Sequence, residues 1–272
     1  MKEKIIVSLT TWKKRINIVH KSIEILLNNS FKPDKVILNL AIEEFPKKNL
    51  ELPKSILRLL KFKNFEIFWV NKNNKVFKKL IPTINRFKKD LIITIDDDYI
   101  YPFDLIENVL KNYIKYGYNR PMSFGSNYSD WSINKSRISS HFGPCSIVKY
   151  KFFNKKLNEI YKELIEKLME NNIKCFDDVL YTYAAIVNGF QYLRIKNYSI
   201  KKYKNKNIAN NNGHSENNSK KIRSQRYIYH NLFRIYIMKK YNIVFENLIH
   251  KNIELIKFDY LNNFFNLIYK IL

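Results

Sequence analysis

Glycine and proline are scarce in this chain, five and seven among 272 residues, and cysteine occurs only twice. The shortage of glycine excludes the glycine-rich phosphate loops, since neither a G-x-G-x-x-G nor a Walker sequence occurs. A phosphate bound by this chain would have to be held by side chains or through a metal. Cys145 and Cys175 lie far apart and match no metal-ligand spacing, so no disulfide framework is indicated and a reducing cytoplasm fits. Long apolar runs are also missing. None reaches the roughly 18 residues of a membrane span, and the run at residues 5–9 is too short for a signal peptide. A cytoplasmic protein is expected, soluble or peripheral at the inner face of the membrane.

Acidic residues are few as well, 24 against 49 Lys and Arg, for a net charge of +25. Such a charge ordinarily points to nucleic acid or an anionic membrane. Here Lys, Asn, Ile, Tyr and Phe are abundant together while Gly and Pro are rare, the composition of a very AT-rich coding sequence. Much of the Lys is then expected on solvated faces. Nucleic acid is not expected as a partner; anionic lipid headgroups or a phosphorylated substrate are.

Against this background the run Asp96, Asp97, Asp98 stands out. It follows Leu91 to Ile95, a short apolar, β-branched stretch suited to a strand buried on both faces. Ligands of open α/β sheets bind outside the carboxyl ends of strands. Three adjacent carboxylates repel one another, and a hard divalent cation, Mn2+ or Mg2+, relieves the repulsion. The plain alternative is a polar loop with one helix-capping Asp, a role for which Asp104 is better placed.

Four strand-helix repeats fill the first hundred residues. Strands are expected at residues 4–11, 35–41, 65–70 and 91–95, with helices at 16–29, 53–61 and 76–87, the last interrupted by Pro82. This is the pattern of a doubly wound, nucleotide-binding half. The first strand ends in Ser8, Thr10 and Thr11, with Arg15 in the next loop, and hydroxyls with a nearby Arg can hold a ribose and phosphates. Further on, a helix at 103–116, strands at 122–125 and within 141–150, and a helix at 154–171 are expected. The Gly143-Pro144 turn permits close backbone approach to a ligand, and Tyr128 and Trp131 suit either a sugar-stacking platform or the core.

A second acidic pair, Asp177 and Asp178, opens a helix running to Val187 that Gly189 closes. Capping and dipole complementarity explain carboxylates there. A helix N-terminus aimed at the site would also present an ionised carboxylate as a general base. After a strand at 191–200, residues 201–221 are rich in Asn, Lys and Ser without apolar period, a mobile loop that holds His214. Residues 222–272 read as helical and aromatic-rich, suited to core or to a membrane interface.

Taken together, these stretches resemble bacterial GT-A fold glycosyltransferases, similar to family 2, of the kind found in surface-polysaccharide synthesis. The resemblance rests on Val-Ser-Leu-Thr-Thr-Trp-Lys-Lys-Arg-Ile at 7–16 and Lys-Pro-Asp-Lys-Val-Ile-Leu at 32–38. Lys-Lys-Leu-Ile-Pro at 78–82, Ile-Thr-Ile-Asp-Asp-Asp-Tyr-Ile-Tyr-Pro at 93–102 and Phe-Asp-Asp-Val-Leu at 176–180 complete it. It implies an α/β fold with a mostly parallel central sheet flanked by helices and a helical C-terminal tail. A catalytic domain is then expected over residues 1–200, with a nucleotide-binding half at 1–102 and an acceptor half at 103–200, followed by the loop at 201–221 and the extension at 222–272.

The resemblance further implies transfer of a sugar from a nucleotide-diphosphate sugar, a UDP-sugar first among candidates, to a saccharide or lipid-linked acceptor, with inversion. Asp96 to Asp98 would be its DxD motif, Asp96 and Asp97 binding the nucleotide and Asp98, with Asp96, the metal. Thr10 and Arg15 would hold the nucleotide, and Asp178 or Asp177 would act as base. His214 falls in a segment that aligns with nothing in the family, and it enters only as a candidate metal ligand. The nearest rival is a nucleotidyltransferase acting on a sugar phosphate, which would usually carry a glycine-rich loop after its first strand. A basic membrane- or nucleic-acid-binding module without catalysis is the reading from another class.

Overall fold

A computed structural model describes residues 3–116, 118–125, 143–171, 175–190, 192–196, 200–202, 229, 233 and 235–242. The chain opens with strand β1 (Ile5–Thr10), a 3-10 turn at Lys13–Arg15 and helix α1 (Val19–Leu27). Then come β2 (Lys35–Ala41), α2 (Lys54–Leu57), β3 (Phe65–Val70), a 3-10 turn at Lys75–Lys79, α3 (Ile81–Arg86) and β4 (Leu91–Ile95). A two-residue strand β5 (Tyr99–Ile100), α4 (Leu105–Lys115), β6 (Met122–Gly125) and β7 (Cys145–Val148) follow. Helices α5 (Lys156–Ile160) and α6 (Glu166–Glu170) are joined by a π turn at Tyr161–Ile165. Helix α7 (Asp177–Val187), β8 (Leu193–Lys196) and β9 (Lys201–Lys202) complete the described elements.

Among the described residues, seven strands form one sheet in the order β3-β2-β1-β4-β7-β6-β8. All neighbours are parallel except that β7 runs against both β4 and β6. The expected α/β fold with a mostly parallel, helix-flanked sheet is present. Every residue of β4 is buried, Thr94 included, as expected of its nearly continuous apolar run. The chain leaves β1 toward β2 and β3 on one side and returns to pair β4 on the other. The crevice between the carboxyl ends of β1 and β4 is therefore the topological switch point, where such sheets bind ligands.

Two helical layers cover the sheet. On one face, α1 and α4 are tied together through Asn29, whose Nδ2 donates to the Pro102 carbonyl at 3.2 Å while its Oδ1 accepts the Ile106 N–H at 3.1 Å. On the other, the Lys75–Lys79 turn and α3 are anchored by a buried polar knot. Ser8 Oγ donates to the Lys79 carbonyl at 2.6 Å and, its one proton spent, accepts from Thr83 Oγ1 at 2.7 Å. Asn39 Nδ2 reaches Ser8 Oγ, the Leu9 carbonyl and Thr83 Oγ1 at 3.0 to 3.1 Å. Phe77, in the same turn, packs edge-on against Tyr161 and Tyr181.

The helix expected at 16–29 is shorter, because residues 13–15 form a tight turn before α1 begins at Val19. Within the segment expected as a strand at 191–200, β8 covers Leu193–Lys196, and the described residues 192 and 200 lie outside any strand. Asp104 occupies the N-cap position of α4 without a side-chain capping bond. Of the residues after 222, the described Tyr229, Phe233, Tyr236 and Ile237 are buried in the main core. Phe233 packs on Tyr183 and Tyr229 on Phe176, both from the α7 region. No helix among the described residues is long and apolar enough to cross a membrane.

The knot around Asn39 gives a stability prediction. Asn39→Ala strips buried hydroxyls and a carbonyl of their partner, so unfolding in urea should show a loss of about 2–3 kcal/mol. A loss below about 0.5 kcal/mol would show that the knot is not needed to seat the 75–79 turn.

Candidate active site

Parallel pairing of β1 with β4, Ser8 opposite Thr94, brings the ends of both strands side by side. Thr11, just past β1, donates its hydroxyl to Asp97 Oδ2 at 2.5 Å. Arg15 reaches back from the following turn, its Nη1 lying 2.8 Å from Asp97 Oδ1 and 3.1 Å from Asp98 Oδ2. From the opposite side Lys79 Nζ lies 2.8 Å from Asp96 Oδ1 and 2.9 Å from Asp177 Oδ2. Lys79 Nζ hydrogen-bonds Asp96 Oδ1, and it forms an ion pair with Asp177 Oδ2, itself buried. Lys79 therefore joins the two acidic stretches that lie eighty residues apart in sequence.

The end of β4 is held firmly. Tyr101 Oη lies 2.9 Å from the carbonyls of both Asp96 and Pro144 and accepts the Asp96 N–H at 2.9 Å. Asp96 N–H also donates to the Pro144 carbonyl at 3.0 Å, extending the β4-β7 pairing by one step. Gly143 lies so close that a Cβ there would sit 2.7 Å from Asp96 Oδ2. Glycine at 143 thus allows close backbone approach, as expected, but what it approaches is the Asp96 carboxylate. The described side chains of Asp96 and Asp98 keep 29% and 23% of their surface exposed, whereas Asp97 keeps 6%.

The electrostatics follow from burial set against these pairs. Burial raises the Asp97 pKa, Arg15 pulls it down and Asp98 pushes it up again, leaving it at about 6. Asp96 is raised by burial, with Lys79 opposing and Asp98 and Asp177 adding to it. Burial alone would lower Lys79, yet Asp177 and Asp96 outweigh it and hold the ammonium well above its ordinary value. Four carboxylates, Asp96, Asp97, Asp98 and Asp177, face two cations, Arg15 and Lys79. The fully ionised cluster carries a formal charge of minus two.

No three His, Cys, Asp or Glu side chains among the described residues converge as a ready-made metal cage. The donor set still suits a hard dication. It consists of carboxylate oxygens, two of its acids are partly exposed, and its charge excess equals that of the ion. Mg2+ is commonly held by one or two carboxylates with substrate phosphates and water completing the shell, and carboxylate oxygens suit Mn2+ equally.

Of the other expected site residues, Thr10 turns its hydroxyl to the Asn39 carbonyl at 2.8 Å, away from the acids. Asp178 is buried at the second position of α7, its Oδ1 accepting the Val179 N–H at 3.0 Å. His214, Tyr128 and Trp131 lie outside the described residues. Lys79 is a member of the cluster that received no role from sequence, and Thr11, read only as one of several strand-end hydroxyls, is the one that bonds Asp97. Lys78 and Lys79 interrupt an otherwise apolar turn, Val76, Phe77, Leu80 and Ile81, which is the one local sign that they are buried.

No protein-family model matches the chain, and no curated protein matches it. Among solved structures it is similar to Staphylococcus aureus TarS in complex with UDP-GlcNAc, at 9% identity and a TM-score of 0.49, covering 86% of this chain and 66% of that one. It is also similar to a Pyrobaculum calidifontis mannosyltransferase in complex with GDP-Man and Mn2+, at 11% identity and TM-score 0.47, covering 73% and 56%. A Francisella tularensis 2-C-methyl-D-erythritol 4-phosphate cytidylyltransferase scores 0.46 at 10% identity, covering 76% and 97%. The chain thus spans less than two thirds of the length of the first two. At these scores the functional assignment is left to the geometry of the site.

The Gly143 contact gives a second prediction. Gly143→Ala forces Asp96 or the 143–144 backbone to shift, and should cost about 1–3 kcal/mol of stability in denaturant unfolding. A neutral substitution would mean that Asp96 is not confined by this turn.

Proposed function

We propose that the chain is a metal-dependent glycosyltransferase that moves a sugar from a nucleotide-diphosphate donor to the hydroxyl of a saccharide or lipid-linked acceptor. The observation that carries this reading is the negatively charged cluster at the switch point, assembled from the ends of β1 and β4 and the start of α7. A diphosphate cannot approach such a cluster unaided, so a dication held by Asp98 with Asp96 is the natural intermediary. Bound there, the metal would neutralise charge on the departing diphosphate, the contribution expected to dominate the rate.

In this reading Asp97, fixed by Thr11 and Arg15, faces the nucleoside, and Arg15 keeps the acids in register. Thr10 contributes through the strand end rather than through its hydroxyl, which is engaged with β2. The acceptor oxygen attacks the anomeric carbon, the bond from that carbon to the diphosphate oxygen breaks, and the hydroxyl proton passes to a carboxylate of α7. Asp177 shares Lys79 with Asp96, which favours it over Asp178 as that base. The nucleotidyltransferase alternative is disfavoured by the loop after β1: the first glycine of the chain is Gly117, so β1 is followed by no glycine turn for a triphosphate.

Transfer or donor hydrolysis with a panel of nucleotide sugars and Mn2+ tests the proposal. Asp98→Asn should lower turnover by roughly 10²–10³-fold and abolish metal-dependent donor binding; unchanged turnover would remove the metal from the account. Asp177→Asn should lose about 10²–10⁴-fold in kcat while still binding donor. If Asp178→Asn shows that loss instead, the base is Asp178.

A further inference from the structure

Lys79 is a costly residue in its place. Its ammonium is buried, with 8% of the side chain exposed, and among the described lysines whose burial is known only its neighbour Lys78 is buried as well. Removing an ammonium from water costs several kcal/mol unless opposite charges and hydrogen bonds compensate. Here compensation comes from two carboxylates of different origin, Asp96 at the end of β4 and Asp177 at the start of α7. The backbone of the same residue is fixed independently, because Ser8 Oγ donates to its carbonyl. Its neighbours in the turn are pinned as well: Phe77 by Tyr161 and Tyr181, and Lys78 by Glu44 at 2.5 Å and Asn73 at 2.6 Å. A long side chain that would normally lose much rotamer freedom is thus delivered to one point by a rigid turn.

We propose that Lys79 is a positioning residue that couples the two halves of the site, fixing the Asp177 carboxylate relative to Asp96 and holding the cluster at a charge of minus two. The inference rests on the transferase reading above and extends it to a residue that neither binds the metal nor takes the proton. Two consequences of opposite sign follow. Without Lys79 the cluster becomes more negative by one charge, and Asp96 no longer shares an oxygen with an ammonium, so a dication binds more tightly. At the same time α7 loses its tether, and the acceptor-side carboxylate no longer sits in register with the donor.

A residue that merely stabilised the fold would weaken metal binding and turnover together. Lys79→Met in the full chain should instead raise affinity for Mn2+ alone roughly tenfold while kcat falls at least about 10²-fold with donor KM little changed. Lys79→Arg, which keeps the charge on a different shape, should restore Mn2+ affinity to the wild-type value but recover kcat only in part. Unchanged Mn2+ affinity and kcat in the Met variant, or a parallel fall in both, would overturn the proposal. Should the Met variant fail to fold, Asp177→Asn keeps the shape and leaves Lys79 to Asp96 alone, and Mn2+ should then bind roughly tenfold more weakly; unchanged affinity there would also overturn it. If the wild-type chain binds Mn2+ but no nucleotide sugar, the transferase reading fails, while the shifts in Mn2+ affinity still test the Lys79 bridge.

Discussion

Charge compensation at the end of β4 is the constraint on which the rest of the site depends. Four carboxylates crowd the switch point, and their mutual repulsion in a half-buried setting is contained by two cations from different parts of the chain. Arg15 can reach Asp97 and Asp98 because a tight turn, not a longer helix, follows β1. Lys79 can reach Asp96 and Asp177 because the Ser8, Asn39 and Thr83 knot seats its turn against the sheet. Breaking either pair would leave a buried carboxylate uncompensated, which typically costs several kcal/mol.

The same arrangement explains why a basic protein should carry a negative site. A net charge of +25 favours the approach of polyanions such as nucleotide diphosphates. The acids invert that field locally, and under the proposed function a dication held there would reconcile attraction at long range with binding at short range. Neutralisation is incomplete by design of the fold: each cation is shared between two acids, and the remaining excess is left facing the crevice.

Much of this was legible in the sequence, and the reasons are local. Strands β2, β3, β4 and β6 and helix α7 fall on their expected residues, because apolar runs and bounding polar residues mark them without tertiary help. The acidic run after β4 was conspicuous because acids are rare. What local pattern does not carry is pairing: the antiparallel entry of β7 between β4 and β6 follows from long-range contacts, and a four-residue apolar strand reads alike in either direction. Lys79 was hidden for the opposite reason to Asp96 to Asp98. Among 49 basic residues a buried lysine is marked only by its apolar neighbours, here Val76, Phe77, Leu80 and Ile81, and that sign does not say which acids it meets. Thr10 and Thr11 were indistinguishable by spacing; in the fold Thr10, the last residue of β1, bonds the Asn39 carbonyl of β2, while Thr11, just past the strand, donates to Asp97.

The most direct test of the account is a crystal structure of the chain soaked with Mn2+ and a panel of nucleoside diphosphates. The account predicts a metal on Asp98, with the diphosphate between it and the crevice separating β1 from β4, and α7 still tethered through Lys79. A diphosphate bound elsewhere on the basic surface, with Asp96 to Asp98 making no contact to metal or ligand, would contradict it.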